Sequence, residues 1–313
     1  MSTLILVTGA TGFVGRALLP RLAEAGLELR CLLRPSRRSP RLPRRVPVQV
    51  SIASLTDERG LRAALVGVDT VIHLASAEWR GQQGDVFAVD VTGTKALVEA
   101  AKDAGVGRLI YVSHLGADRA SAYPVLKAKG IAEEFVRQSG LPYTIVRSAL
   151  LYGEEDVFVN VVALMLKLVP GFFFSPSPSD VALQPLWVED LVTCLEWSLS
   201  DLTALNQTLA LGGPEFLTFN QMTEIIMDVL RLRRIIVPVR PPFLRAGAWW
   251  LDQLLPRSPL TPRWLDYLAT SRTCELTSVT RYFGLKPARF ADRTLNYLRD
   301  KHWFAEMTRL TSA

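Results

Sequence analysis

A short apolar run, residues 4–7, leads directly into Thr8-Gly9-Ala10-Thr11-Gly12-Phe13-Val14-Gly15, and an amphipathic helical pattern follows at once. Three glycines at this spacing between a strand and a helix describe a phosphate-binding turn. Gly9 permits the tight turn, Gly12 lets the backbone approach a pyrophosphate, and Gly15 lets the helix pack close to the strand. The N–H groups at the helix start, in the stretch holding Thr11, Phe13 and Val14, then point at phosphate oxygens with the helix dipole behind them. A chain built this way is committed to a sheet-and-helix fold that binds a dinucleotide.

The residues that follow keep the same rhythm. Runs 4–7, 29–33, 46–50, 70–73, 109–113 and 144–147 read as strands, and 15–25, 56–65, 86–104 and 124–139 as helices, four of them closed by Gly26, Gly67, Gly105 and Gly140. Such alternation predicts an α/β class, with a Rossmann doubly wound parallel sheet. After residue 152 the rhythm loosens. Segments 184–188 and 207–211 read as strands that could return to the sheet, and 219–230 as a helix entered at Thr218. The remainder, punctuated by prolines, reads as helices and loops. The expected organisation is a dinucleotide domain over 1–152, completed by strands from 181–213, and a smaller, mostly helical lobe from 153–180 and 214–313.

The second strand decides the cofactor. Dinucleotide sites that take NAD place an acid at its end to meet the ribose 2′-hydroxyl. Here it ends Leu32-Leu33-Arg34-Pro35-Ser36-Arg37. With no acid present and a guanidinium able to grip a 2′-phosphate through two hydrogen bonds, NADP(H) is favoured over NAD(H), with Arg34 and Arg37 as candidate partners.

Composition excludes several classes. Three scattered cysteines, Cys31, Cys194 and Cys274, fit neither a disulfide framework nor a zinc site, and no metal is expected. The greasiest stretch, 157–174, is broken by Asn160, Lys167 and Pro170 and is too short for a spanning helix. Neither a leader nor an anchor is read, so the expectation is a soluble, cytoplasmic protein or one peripheral to a membrane. The net charge of +6 gathers in two arginine groups, one around residues 34–45 and one around 231–245. Neither carries a nucleic-acid motif or a stacking aromatic array, which argues against nucleic acid. The second leaves open solvated loops, a protein complex or an anionic membrane surface. Segment 243–255 is amphipathic with adjacent Trp249 and Trp250. Lobe core is its commonest role; a partner-helix groove and an interfacial membrane contact stay open.

With these pieces placed, the sequence resembles the atypical short-chain dehydrogenase/reductase superfamily. The resemblance is to the branch holding epimerase/dehydratase-like proteins and the nucleotide-binding accessory subunit of respiratory complex I. It rests on 8–15, 71–76, Gly93-Thr94, 111–116, 139–147, 184–191 and 211–219. It implies that Leu74, Ala75 and Ser76, and the stretch after strand six with Ser148 and Leu150, line the nicotinamide pocket. It also implies that Ser54, with Leu55 beside it, stands where relatives carry an acid for the adenine amine.

The family's chemistry uses a Ser, a Tyr and a Lys four residues after the Tyr. Tyr123 and Lys127 have that spacing. Counting without gaps from Ser113, or back from 139–145, instead places Lys129 on the lysine, Glu133 on a following acid and Val125 on the tyrosine. Two readings follow. One is an NADPH-dependent reductase of an apolar carbonyl or enone, with Lys129 on the ribose and Ser113 or His114 polarising the carbonyl. The other is a non-catalytic NADPH-binding module serving as a structural, assembly or redox-sensing subunit of a larger, membrane-attached complex. His73 reads as a packed residue, and Glu189-Asp190 as structural.

Overall fold

The structure is a computed structural model that describes residues 3–36, 39, 42–79, 84–177, 180–254 and 262–312. Strands β1 (Leu4–Thr8), β2 (Glu28–Leu33), β3 (Gln49–Ile52), β4 (Thr70–His73), β5 (Arg108–His114) and β6 (Tyr143–Ser148) alternate with helices α1 (Phe13–Glu24), α2 (Glu58–Leu65), α3 (Gly93–Asp103) and α4 (Pro124–Gln138). The C-terminal half adds β7 (Leu151–Tyr152), α5 (Phe158–Leu168), β8 (Phe172–Pro176), β9 (Leu186–Trp187), α6 (Val188–Ser198), β10 (Gln207–Leu211), α7 (Phe219–Leu230), β11 (Ile235–Val239) and α8 (Pro241–Leu254). The main sheet has seven strands in the order β10-β6-β5-β4-β1-β2-β3, every pairing parallel. This is the doubly wound fold expected from the alternation.

The sheet is covered on both faces, which is why its central strands are apolar throughout. Along β1, Ile5 and Val7 pack under α1 and α6, while Leu4 and Leu6 pack under α2, α3 and α4. The same alternation recurs at Val71/Ile72 and Leu109/Ile110. A third core, with Phe158, Phe219, Trp264 and Phe290, fills the C-terminal lobe. The three cysteines form no disulfide, and burial pushes the Cys31 and Cys194 thiols up to about 12.

Three sequence expectations need correction. The third strand begins at Gln49 rather than at residue 46, where Arg30 on β2 reaches the Gln49 side chain at 2.8 and 3.0 Å and starts the ladder. Helix 86–104 is not uniform: Phe87–Thr92 forms a π turn before α3. Segment 184–188 does not return to the main sheet. The edge beside β6 belongs to β10, so Leu186 and Trp187 pair instead with Leu151 and Tyr152, and Val188 opens α6. The lobe also contains a two-stranded parallel ladder, β8 with β11, beside its helices.

A buried polar chain ties β1 to β4 and α3. Thr94 Oγ1 donates to the Asp90 carbonyl at 2.8 Å, so it accepts from His73 Nε2 at 2.9 Å. His73 Nδ1 then accepts from Thr8 Oγ1 at 2.6 Å, and that oxygen accepts the Ala75 N–H at 3.3 Å. Burial, with the Lys129 charge, lowers the imidazole to about 3, so His73 is neutral and structural. The unfolded chain takes up a proton near pH 6.5 that folded His73 refuses until about pH 3. Stability therefore rises with pH across that window and levels off above it. Denaturant midpoints between pH 5 and 7.5 should show wild type steeper than His73→Gln by up to about 1.4 kcal/mol per pH unit. Equal slopes would remove His73 as the cause.

Candidate functional site

The site is built on the turn from β1 to α1. Gly9 has φ +71°, and a Cβ there would lie 2.6 Å from the Leu74 carbonyl carbon and 2.7 Å from Ala75 N. At Gly15 a Cβ would stand 2.4 Å from the Gly9 oxygen. Only glycine lets the turn, the β4 exit and the first turn of α1 share this space. Helix α1 starts at Gly12 with no side-chain cap and no acid in its first turn. Its leading N–H groups and dipole are thus uncompensated by the protein, and Thr11 and Gly12 are exposed while Phe13 and Val14 are half-buried. An uncapped, acid-free helix start beside a glycine cradle fits a pyrophosphate.

The residues that the sequence assigns to the adenosine lie at the ends of β2 and β3. Ala53 N donates to Leu33 O at 2.9 Å, which brings exposed Arg34 and half-buried Ser54 to the same edge. Ser54 Oγ bonds Thr56 Oγ1 at 2.9 Å, and Leu55 packs against Gly93. Arg37 lies outside the described residues. Leu74, Ala75 and Ser76, which the resemblance assigns to the nicotinamide, are half-buried along the β4 exit. Ser148 and Leu150 are packed inside the protein, the Ser148 hydroxyl donating to Ser113 O at 3.2 Å.

Helix α4 sorts the candidate catalytic groups. Tyr123 is its N-cap, with Pro124 at the first helical position, and Lys127 is exposed. Val125 packs against Ala77, Val86 and Ala128. Lys129 is 3% exposed, its ammonium 3.0 Å from Asp90 and 5.2 Å from the centre of the Tyr111 ring. Burial alone would lower Lys129, but Tyr111, Asp90 and Glu78 together hold it above the usual lysine range. Ser113 and Glu133 are in contact: Ser113 Oγ donates to Glu133 at 2.6 Å, and Arg147 grips the same carboxylate through bonds of 2.9 and 2.6 Å. The Ser113 hydroxyl is therefore committed to the protein.

Sequence reasoning missed five groups here. Asp90 is brought onto Lys129 from the π turn, and its other oxygen accepts the Ala77 N–H at 2.9 Å. Glu78, buried, accepts from His114 Nε2 at 2.8 Å and from the Tyr267 hydroxyl of the C-terminal lobe. Trp79 stacks on the Tyr267 ring at 5.1 Å, and the Arg272 guanidinium covers it at 4.4 Å. Burial would raise the Glu78 carboxyl; His114, the Tyr267 hydrogen bond and the Lys129 charge bring it down to about 2. Asp90 had a readable signal, an acid on an apolar helix flank. Tyr267 had none, being 189 residues from Glu78. Glu189 and Asp190 open α6, where Asp190 accepts the Ala288 N–H at 2.7 Å. A cavity of about 500 Å³ lies within the lobe, bounded by Pro176, Pro241, Leu244 and Leu268, away from the glycine turn.

The NAD(P)H-binding family model matches residues 9–171. Among curated proteins, the chain is 30% identical over 262 residues to the mitochondrial NADH dehydrogenase [ubiquinone] 1 alpha subcomplex subunit 9 of Arabidopsis thaliana, covering 81% of this chain and 64% of that protein's length. It is 33% identical over 143 residues to the photosystem II assembly factor Ycf39 of Cyanophora paradoxa, covering 46% of this chain and 44% of the relative. Among solved structures, the NADPH complex of an NADPH-dependent quinone oxidoreductase from Escherichia coli superposes with TM-score 0.75 at 19% identity, over 93% of this chain and 98% of that one. That likeness is one of fold.

The Glu78 bridge makes a testable claim. Glu78→Gln and Tyr267→Phe should each lower stability by about 1–3 kcal/mol, since each leaves a buried partner short of a hydrogen bond. The double variant should fall short of the sum by about 0.5 kcal/mol or more. Strict additivity in denaturant unfolding would mean the two groups do not interact.

Proposed function

The chain belongs to the NAD(P)H-binding family, and we propose that it holds NADP(H) as a retained ligand and serves as a non-catalytic subunit or assembly module of a larger complex. One observation carries this reading: the Lys129 ammonium is turned into Asp90 and sealed at 3% exposure, and the ungapped count from Ser113 puts Val125 at the family's tyrosine position. A lysine so engaged, buried and paired with Asp90, is poorly placed to reach a ligand or to move a proton. The described groups that would hold the ligand remain in place. The uncapped start of α1 would receive the pyrophosphate, Arg34 the 2′-phosphate, and Leu74–Ser76 the nicotinamide side. The names of two relatives, a complex I subunit and a photosystem II assembly factor, agree with such a role.

A second reading is favoured by His114. It sits at the end of β5 with Glu78 behind it at 2.8 Å, a histidine–carboxylate pair at the sheet's carboxyl edge. A bound reduced nicotinamide would supply hydride, and His114 would be the group placed to give a proton to an apolar carbonyl.

Titration of NADPH and NADH into the purified protein, followed by fluorescence, tests the cofactor assignment. NADPH should bind about 10–100-fold tighter, and Arg34→Ala should remove most of that difference, as expected for charge-assisted bonds to a phosphate. Equal affinities, or an unchanged preference in the variant, would refute the Arg34 assignment. The module reading expects NADPH to survive gel filtration and not to be oxidised by an aldehyde or enone panel. Steady oxidation lost in His114→Ala would establish the second reading instead.

A further inference from the structure

We propose that α8 and the neighbouring β8–β11 ladder form a face that docks on an anionic phospholipid bilayer. The proposal is independent of the dinucleotide reading, because none of its residues touches the glycine turn. In a parallel ladder partnered residues share a face. Here Phe172 pairs with Ile235 and Phe174 with Val237, while Phe173 lies under the sheet in the lobe core. Phe172, Phe174 and Ile235 are 49–63% exposed. The ladder leads into α8 with only Arg240 between them.

Helix α8 has two apolar sides. Ala248 is buried and Leu244 packs on the lobe core, which accounts for one side. On the opposite side Phe243, Ala246, Gly247 and Trp250 follow the spacing i, i+3, i+4, i+7, and all four are exposed. Trp249 flanks them. Phe243, Trp249 and Trp250 are 69%, 47% and 60% exposed. Trp249 and Trp250 are therefore not lobe core. Single exposed apolar residues need no explanation; six large ones on one small ladder and the helix that follows it do.

Charge selects the occupant. Residues 231–250 contain five arginines and no acid. Arg245 is neutralised by Asp266, and Arg234 caps the end of α5 at Leu166 O and Val169 O. Arg231, Arg233 and Arg240 are exposed. Tryptophan and phenylalanine at the headgroup boundary with arginines of a single sign around them is the pattern of a helix lying in a membrane interface. A 14-residue helix suits that posture, and no described helix is long and apolar enough to cross a bilayer.

The full chain should co-sediment with phosphatidylglycerol/phosphatidylcholine vesicles and not with pure phosphatidylcholine, with a blue shift of tryptophan emission. Trp249→Ser/Trp250→Ser should weaken binding about tenfold, and Arg233→Gln/Arg240→Gln by roughly fivefold per arginine at low salt. These side chains are exposed, so thermal melting and NADPH titration of the variants should match wild type, which separates this test from that of the cofactor site. Failure to sediment with anionic vesicles overturns the proposal. So does sedimentation that the tryptophan and arginine changes leave untouched. If the tryptophan changes alter only the oligomeric state by light scattering, the face is a protein interface and the proposal is wrong.

Discussion

The approach of two backbones, with no side chain between them, sets the geometry of this molecule. The β1–α1 turn lies so close to the β4 exit that a single methyl at Gly9 would overlap Leu74 and Ala75, and one at Gly15 would overlap Gly9 and Ala10. That contact fixes where α1 begins, hence where its uncapped N–H groups point, and it fixes the start of the 74–78 loop. The Thr8–His73–Thr94 chain braces the same junction from beneath. Because neutral His73 serves as donor on one side and acceptor on the other, the brace has one arrangement only. Cofactor loop and core are thus positioned by the same few atoms.

Above that junction the decisive energetics are those of buried charge. Lys129, Asp90 and Glu78 are all within a few per cent of full burial, where an unpaired ion is far costlier than a paired one. Pairing Lys129 with Asp90 meets that cost, and in doing so commits the ammonium to the protein. Ser113 is likewise committed to Glu133, which Arg147 and Arg137 also hold. The polar residues at the end of β5 are therefore satisfied by one another. His114, facing Glu78 at the edge, is the exception in position if not in partnership.

Local patterns made much of this legible. The glycine spacing and the strand–helix rhythm encode short-range geometry, so the sheet and the cofactor cradle could be read from consecutive residues. Ser113 and Glu133, which the same count picks out, both lie on elements of regular rise, and the two side chains meet at 2.6 Å. What could not be read depends on contacts across the chain. Segment 184–188 has the composition of a sheet strand, but β10 occupies the edge it would need. The β8–β11 ladder joins residues from two separate stretches, and neither alternates in a way that distinguishes it from loop. Asp90 reaches Lys129 only because a π turn shifts the helix phase, a change of one residue per turn that periodicity averages away.

The Glu78 bridge gives the C-terminal lobe a fixed relation to the sheet edge. The loop that carries Ser76 continues to Glu78, which receives His114 from β5 and Tyr267 from the lobe. The next residue back, Asp266, pairs with Arg245 on α8. Each group in this line has its polar partner, and a satisfied buried network holds one geometry better than apolar packing alone. The exposed face of α8 is therefore tied through few steps to Glu78 and His114 at the carboxyl edge of the sheet. A body that grips α8 would act on the carboxyl edge of the sheet through Arg245, Asp266, Tyr267 and Glu78.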